Sequence, residues 1–352
     1  MSEKKKAFKR SPIVAQVEER VKVKEGKTRV EFLDSGSTLL NLAGSGKGKN
    51  GGWARGRIVN LVGDGSSGKT LLALEACAQA FYHIKERESV LFPKVKKATI
   101  VYNNKEGVMD FPLEEMYGEK FVEGVEWIQS STCEEFGRDY QRRVDKLKEG
   151  EFLLYIADSL DAFTSSAAKT RVEKSIKTDK DIEGTYGMEK AKYFSNAFFS
   201  HLCDTMQGKD ATLVCISQVR DNINAGLFGE KHRRVGGKAL DFYTHQVCWL
   251  AQRGQLKKTV KGQERTYGIR IKAKFKRNKT AKPFREAEFD VLFDYGIDNI
   301  GSICKALEYD EEDIKRLEDN VEELDSAIEE LEGDWQEVEE KIKPKRKERF
   351  GV

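Results

Sequence analysis

Closely spaced metal ligands are missing from this chain of 352 residues. Its four histidines (His83, His201, His232, His245) lie far apart, and its six cysteines (Cys77, Cys133, Cys203, Cys215, Cys248, Cys304) form no C-x-x-C pair. Structural zinc sites draw their ligands from such pairs, so neither residue type offers one. Several cysteines sit inside apolar runs such as TLVCISQ, the usage of a reducing compartment. Long hydrophobic runs are also lacking: no segment approaches the roughly 20 apolar residues of a membrane span. The basic start MSEKKKAFKR leads into no apolar signal region. A soluble, cytoplasmic protein with no membrane partner is expected. Charge of one sign is scarce as well, since 34% of residues are charged but the net charge is only +3. Where the charges lie therefore says more than their sum.

Residues 1 to 31 are polar and basic, with room for one short helix around Ile13 to Val23, and read as an arm that could link copies of the chain. From Phe32 to Gly56 the many glycines suggest a mobile loop leading into the first core strand, Arg57 to Val62. Apolar runs then recur at Ala98 to Tyr102, Phe152 to Ala157, Leu213 to Ser217 and Gln246 to Leu250, as strands covered on both faces do. Helical-length segments, Leu71 to Ile84, Glu134 to Lys148 and Met188 to Met206, alternate with them. This order predicts an α/β fold around a mostly parallel, doubly wound sheet. Tyr267 to Lys276 and Glu286 to Phe293 read as further strands extending it. The core is expected over residues 32 to 307, followed at 308 to 352 by an acidic helical tail with a basic end. Within the tail Ile314, Leu317, Val321, Leu324, Ile328, Leu331, Trp335, Val338 and Ile342 step by three and four, a heptad stripe. It fits either a helix packed on its own domain or a coiled coil with a protein partner. The acidic surface could also shield a basic groove from DNA.

What is abundant is glycine around residue 65. RIVNLVGDGSSGKT fits the phosphate-binding pattern G-x-x-x-x-G-K-[ST] between a strand and a helix. Gly63, Asp64, Gly65, Ser66, Ser67 and Gly68 would form a loop whose backbone N–H groups cradle a polyphosphate, aided by the helix dipole. Lys69 would reach the β- and γ-phosphates and Thr70 would hold magnesium. Asp158 closes the apolar run FLLYIAD, where a second magnesium ligand belongs. Glu106 follows a strand and could polarise an attacking water. Gln218 and Arg220 follow LVCIS, where they could feel the γ-phosphate. The plainer alternatives are a turn-capping Asp158, a solvated Glu106 and a Gln218 bonded to backbone. Beyond them VRDNINAGLFGEKHRRVGGKALDFY mixes Arg220, Lys231, Arg233, Arg234 and Lys238 with Phe228 and several glycines, a mixture suited to single-stranded nucleic acid or to a solvated charge run.

Taken together these stretches resemble the RecA recombinase family. GSTLLNLAGSGKGKNGGWARGRIVNLVGDGSSGKT resembles the segment leading to its nucleotide loop and ADSLDAFTS its magnesium strand. SQVRDNINAGLFG and VGGKALDFY resemble its sensor strand and second DNA-binding loop, and KRNKTAKPFREAEFDVLFDYGI the segment closing its core. The resemblance runs in family order from about Phe32 to about Leu307 and implies ATP and Mg2+ as cofactors. It implies that Lys69 and Thr70 bind phosphate and metal, Asp158 supports the metal, Glu106 activates water and Gln218 senses the γ-phosphate. It also implies adenine contacts for Asp110 and Phe293, and DNA contacts for Phe228, Gly236 and Gly237. Arg277 and Lys279 would reach the ATP of a neighbouring subunit in a helical filament, as arginine fingers do. The implied function is DNA-dependent ATP hydrolysis with filament formation on single-stranded DNA, homologous pairing with double-stranded DNA, and strand exchange in recombination and repair. A ring helicase or branch-migration motor, or an ATP-gated mediator without strand exchange, would use the same core. Two departures stand out: Asp241 occupies a normally basic position, and residues 165 to 185 are more charged than the family's first DNA loop. A compact phage or mobile-element version would suit them.

Overall fold

The computed structural model describes residues 30–84, 95–107, 109, 111–179, 188–221, 232–234 and 237–342, with side chains undescribed at 220, 221, 232–234 and 237–239. The short helix expected around Ile13 to Val23 and the basic end of the tail lie outside the described residues.

Twelve strands are described: β1 (Phe32–Leu33), β2 (Trp53–Ala54), β3 (Ile58–Gly63), β4 (Lys97–Asn104), β5 (Glu126–Ile128), β6 (Glu151–Asp158), β7 (Ala211–Asp221), β8 (His232–Arg234), β9 (Gln246–Val260), β10 (Gln263–Asn278), β11 (Glu286–Leu292) and β12 (Gly296–Asp298). The central sheet runs β12-β11-β10-β9-β3-β7-β6-β4-β5, with β8 paired to β7. From β9 to β5 every pairing is parallel. At the other edge β9, β10, β11 and β12 form an antiparallel meander.

Alternation along the strands explains why both faces are covered. On β6, Phe152, Leu154 and Ile156 join one core with Leu72, Leu74 and Ala76, while Leu153, Tyr155 and Ala157 join another with Phe136, Tyr140 and Phe199. A strand that is apolar at every position can only sit between two layers. The helices used below are α1 (Thr38–Ser45), α2 (Lys69–His83), α3 (Cys133–Lys146), α4 (Ser166–Thr178), α5 (Gly237–Tyr243), α6 (Asn299–Ala306), α7 (Glu311–Asp319) and α8 (Val321–Lys341). Between α4 and α5 the expected helix over Met188 to Met206 is interrupted by a π-helical segment, Tyr193–Phe198. There Phe194 and Phe198 turn into an aromatic cluster with Phe136. Ser165, in the segment compared with the family's first DNA loop, caps α4.

The segment from Phe32 to Gly56 departs from the mobile loop expected of it. Ser37 accepts from Leu40 N–H and starts α1, and Gly46, at φ 79°, ends it. Leu40, Leu42 and Ala43 are buried. Asn41 ties the ends together, accepting from Ser35 N–H at 3.1 Å and donating to the Gly48 carbonyl at 3.0 Å. Gly44 serves packing rather than motion, since a Cβ there would lie 2.8 Å from the Phe275 ring. Glycine content misled because close approach and flexibility select the same residue.

The tail forms two helices with a break at Asn320, whose side chain caps α8 by accepting from Glu322 and Glu323 N–H. Ile314, Leu317, Leu324, Ile328, Leu331 and Trp335 pack with Leu42, Ile303 and Cys304 of the preceding chain. Val321, Val338 and Ile342 of the stripe stay exposed. Glu332 accepts from the N–H groups of Gly48 and Lys49 at 2.6 and 2.8 Å, fastening α8 to the turn after α1. Replacing Leu317 by alanine should therefore cost about 2–5 kcal/mol of global stability. An unchanged denaturation midpoint would show that the tail folds apart from the core.

On α2, Glu75 is buried and accepts from Tyr117 OH at 3.1 Å. Burial pushes its carboxyl up from 4.5 to about 7. Below pH 4.5 the folded and unfolded chains both hold this proton; from there to about pH 7 only the folded chain keeps it, so stability falls as pH rises. The loss should approach about 3 kcal/mol. Denaturation of Glu75→Gln across pH 4 to 8 should show a correspondingly flatter profile than the parent protein.

Candidate functional site

The phosphate-binding pattern lies between β3 and α2. Gly63 ends the strand where a Cβ would fall 2.3 Å from Ser67 Oγ and 2.7 Å from the Leu250 carbonyl. Ser66 and Gly68 turn the loop through left-handed conformations at φ 60° and 83°. Gly65 is different: a Cβ there meets nothing within 4 Å, so the fold does not require its bare backbone. Its surface faces the cleft it lines. Gly68 brings no side-chain cap to α2, which leaves the first N–H groups of the helix without that partner. Lys69 is buried, and its ammonium donates to the Asp64 carbonyl and, at 3.3 Å, to Ser67 Oγ. Burial holds its pKa below the usual lysine value, opposed by Asp158, Glu106, Asp64 and Asp161.

Three neighbouring strands, β6, β4 and β7, supply the facing groups. Asp158 ends β6 with one oxygen, Oδ2, accepting from Thr70 Oγ1 at 3.0 Å and from Tyr102 OH at 2.7 Å. Its other oxygen, Oδ1, is buried without a hydrogen-bond partner. Burial raises the Asp158 pKa, while the Tyr102 bond works the other way. An unmatched buried carboxylate oxygen beside a threonine hydroxyl is the donor set a hard divalent cation takes, so these residues fit magnesium. Glu106, beyond the end of β4, accepts on Oε1 from Ser159 Oγ at 2.6 Å and from Gln218 Nε2 at 2.9 Å. The Gln218 N–H in turn donates to Asp161 at 2.7 Å.

Gly65 to Leu71, Glu106, Asp158 and Gln218 line one cleft of about 500 Å³, which Phe111, Phe293, Gln252, Gln255, Thr266, Ile269 and Val291 complete. Phe293, expected near adenine, thus shares the cleft, whereas Asp110 lies outside the described residues. Arg277 and Lys279 do not line it: they donate to the carbonyls of Asp241 and Phe242 on α5. Of the residues expected to touch DNA, Phe228, Lys231 and Gly236 lie outside the described residues. The backbone of Arg220 on β7 pairs with that of Arg233 on β8, with Arg234 beside it, and Gly237 and Lys238 begin α5. The sequence reading missed Ser159, Asp161, Tyr102 and Phe111. Ser159 and Asp161 could have been sought beside Asp158; Tyr102 carried no signal beyond its strand.

A phosphate loop followed by helix α2, with strand-end carboxylates on a parallel sheet, defines a phosphate-loop α/β protein. A sequence model described as the RecA N-terminal domain matches residues 3–109 and 144–298. The chain is 30% identical over 289 residues to Protein RecA of Gloeothece citriformis, covering 80% of this chain and 69% of that protein. It is 31% identical over 288 residues to Protein RecA of Rippkaea orientalis, covering 80% and 70%. To Protein RecA of Oleidesulfovibrio alaskensis it is 28% identical over 283 residues, covering 78% and 69%. The chain belongs to the RecA family of recombinases. Among the described residues no helix is long and apolar enough to cross a membrane.

The two glycines of the loop should separate folding from binding. Gly68→Ala should cost at least about 1–2 kcal/mol from the left-handed backbone alone. Gly65→Ala should leave the melting temperature unchanged while weakening nucleotide binding measured by titration. Equal melting of both variants would refute the distinction.

Proposed function

We propose that this chain is a DNA-dependent ATPase that assembles on single-stranded DNA with ATP and magnesium, pairs it with homologous duplex and exchanges strands. The observation that carries this reading is the bond between Glu106 and Gln218 in a cleft that also contains Lys69, Thr70 and Asp158. Membership of the RecA family supports the DNA partner, the cytoplasmic setting and assembly of copies. In this reading residues 32 to 307 act as the ATPase and DNA-binding core.

Gly65 to Gly68 and the start of α2 bind the polyphosphate through backbone N–H groups. The Lys69 ammonium exchanges its bonds to Asp64 and Ser67 for phosphate oxygens. Thr70 and Asp158 hold magnesium, which when bound neutralises phosphate charge. Glu106 accepts a proton from the attacking water, and the Ser159 hydroxyl and Gln218 amide orient that carboxylate. Phe293 and Phe111 offer apolar surface for the base, with Asp110 close by in sequence.

Gln218 gives the site an output. It lies on β7, which continues into the hairpin with β8 and the basic stretch around Phe228, Arg233 and Arg234. Arg277 and Lys279 bind carbonyls of α5, at whose start stands Lys238. When these two cations reach a neighbour's ATP they release α5, linking assembly to the DNA loop.

Lys69→Ala should abolish ATP turnover, whereas Glu106→Gln should retain nucleotide and lose about 10²–10⁴-fold in kcat. Mixing inactive Lys69→Ala with an inactive Arg277→Ala, Lys279→Ala double variant should restore part of the turnover, because each copy supplies the half-site the other lacks. No recovery in the mixture would rule out cations acting between subunits.

A further inference from the structure

The turn that follows β6 does more than end a strand. Leu160 N–H donates to the Ile216 carbonyl at 2.9 Å, which carries the β6–β7 ladder past Asp158. In a regular parallel ladder the next N–H on β7, that of Gln218, goes to a backbone carbonyl of the neighbouring strand. Here the chain has already turned, and the Asp161 carboxylate takes that N–H at 2.7 Å. Gln218 is also the last residue of β7 in register with β3, where it stands opposite Gly63. From Val219 to Asp221 the strand pairs with β8 alone among the described residues.

Two bonds governed by this short turn meet at one carboxylate oxygen. Ser159 Oγ donates to Glu106 Oε1 at 2.6 Å, and Gln218, whose backbone Asp161 holds, donates Nε2 to the same oxygen at 2.9 Å. Glu106, Ser159, Asp161 and Gln218 thus close a ring: the turn spaces the two donors and Glu106 joins them. The turn is itself braced, because Ala162 N–H donates to the Ser159 carbonyl at 3.1 Å and the Lys190 ammonium to the Asp161 carbonyl at 2.8 Å. A bond to an ionised acceptor is shorter and stronger than a neutral one, so a carboxylate suits this post. Asp161 does not line the nucleotide cleft, so it acts through Gln218.

We propose that Asp161 is a positioning residue of this ATPase: it fixes the Gln218 backbone so that the Gln218 amide stays on Glu106. By the same bond it sets the point at which β7 leaves the central sheet for the hairpin with β8. Misplacing a group at a reacting centre by about 1 Å can cost on the order of 10²-fold in rate. The assignment rests on the proposed reading that Glu106 activates water and Gln218 gives the site its output. It adds a residue outside the cleft that ties these two together.

The test is steady-state ATP hydrolysis by the full chain, with and without a single-stranded oligonucleotide, for five proteins: the parent, Asp161→Ala, Asp161→Asn, Gln218→Ala, and Asp161→Ala combined with Gln218→Ala. Asp161→Ala should lower DNA-stimulated kcat by about tenfold to hundredfold. Its Kd for an ATP analogue and its melting temperature should stay at the parent's values, because the phosphate loop, Lys69 and Thr70 are untouched. Asp161→Asn keeps an acceptor oxygen and should recover most of the kcat. In the Gln218→Ala background no amide remains to be aimed, so Asp161→Ala should lower kcat further by less than about twofold. Losses that multiply independently in the double variant overturn the assignment. So does parental kcat in Asp161→Ala, and so does an Asp161→Asn as slow as Asp161→Ala. A loss of kcat that comes with weakened analogue binding and a lowered melting temperature also overturns it, since Asp161 would then serve the fold alone. A parent protein without DNA-stimulated hydrolysis would instead sink the functional reading beneath it.

Discussion

The cleft depends on one constraint: neighbouring strands of the parallel sheet must hold a fixed register with one another. Gly63 is in register with Gln218, and Asn104 with Asp158. Because β3, β7, β6 and β4 are buried on both faces, a shift by one residue would turn alternate apolar side chains into the wrong core. The two cores therefore set the register, and the register places the phosphate loop, Glu106, Asp158 and Gln218 on one edge. Hydrogen bonds from Thr70 to Asp158 and from Gln218 to Glu106 are consequences of that alignment.

Around this edge the molecule adds supports that are remote in sequence. The segment before β3 is held by Gln246, which donates to the carbonyls of Gly44 and Gly52, and by Glu332 of the tail. The buried Arg55–Asp210 pair, with Asp210 accepting from Arg55 Nε at 3.0 Å, anchors the turn into β3 next to the start of β7. The tail is thus part of the structural support for the core, with a buried apolar seam and an acidic outer face. Its position explains why a helix so rich in glutamate can be stable: the seam supplies burial, while Lys282 and Arg285 both meet Glu339.

Charge follows the same division of labour. Cations that serve the fold are matched, as where Arg270 makes two bonds to Asp290 and Lys272 and Lys274 share Glu286. Toward the tip of the β9–β10 hairpin Lys257 meets Glu264, whereas Lys258 and Lys261 meet no carboxylate among the described residues. A net charge of +3 conceals this contrast, since matched and unmatched cations count alike.

The sequence by itself determined the class of fold and the chemical vocabulary of the cleft. Apolar runs bounded by turns specify strands, their alternation with helical stretches implies a parallel sheet, and strand-end polar residues then fall on a common edge. That is why Lys69, Thr70, Glu106, Asp158 and Gln218 were legible. Only the tertiary structure decided which of them touch, because Glu106 and Gln218 are 112 residues apart and their contact exists only through sheet register. It also decided that the glycines between Phe32 and Gly56 mark close packing, that the heptad stripe breaks at Asn320 and closes on its own chain, and that Ser159 and Tyr102, buried behind the cleft, bond to its carboxylates Glu106 and Asp158. Local pattern reports what a residue prefers next to its neighbours in the chain; the identity of its contacts is set by burial shared between distant segments.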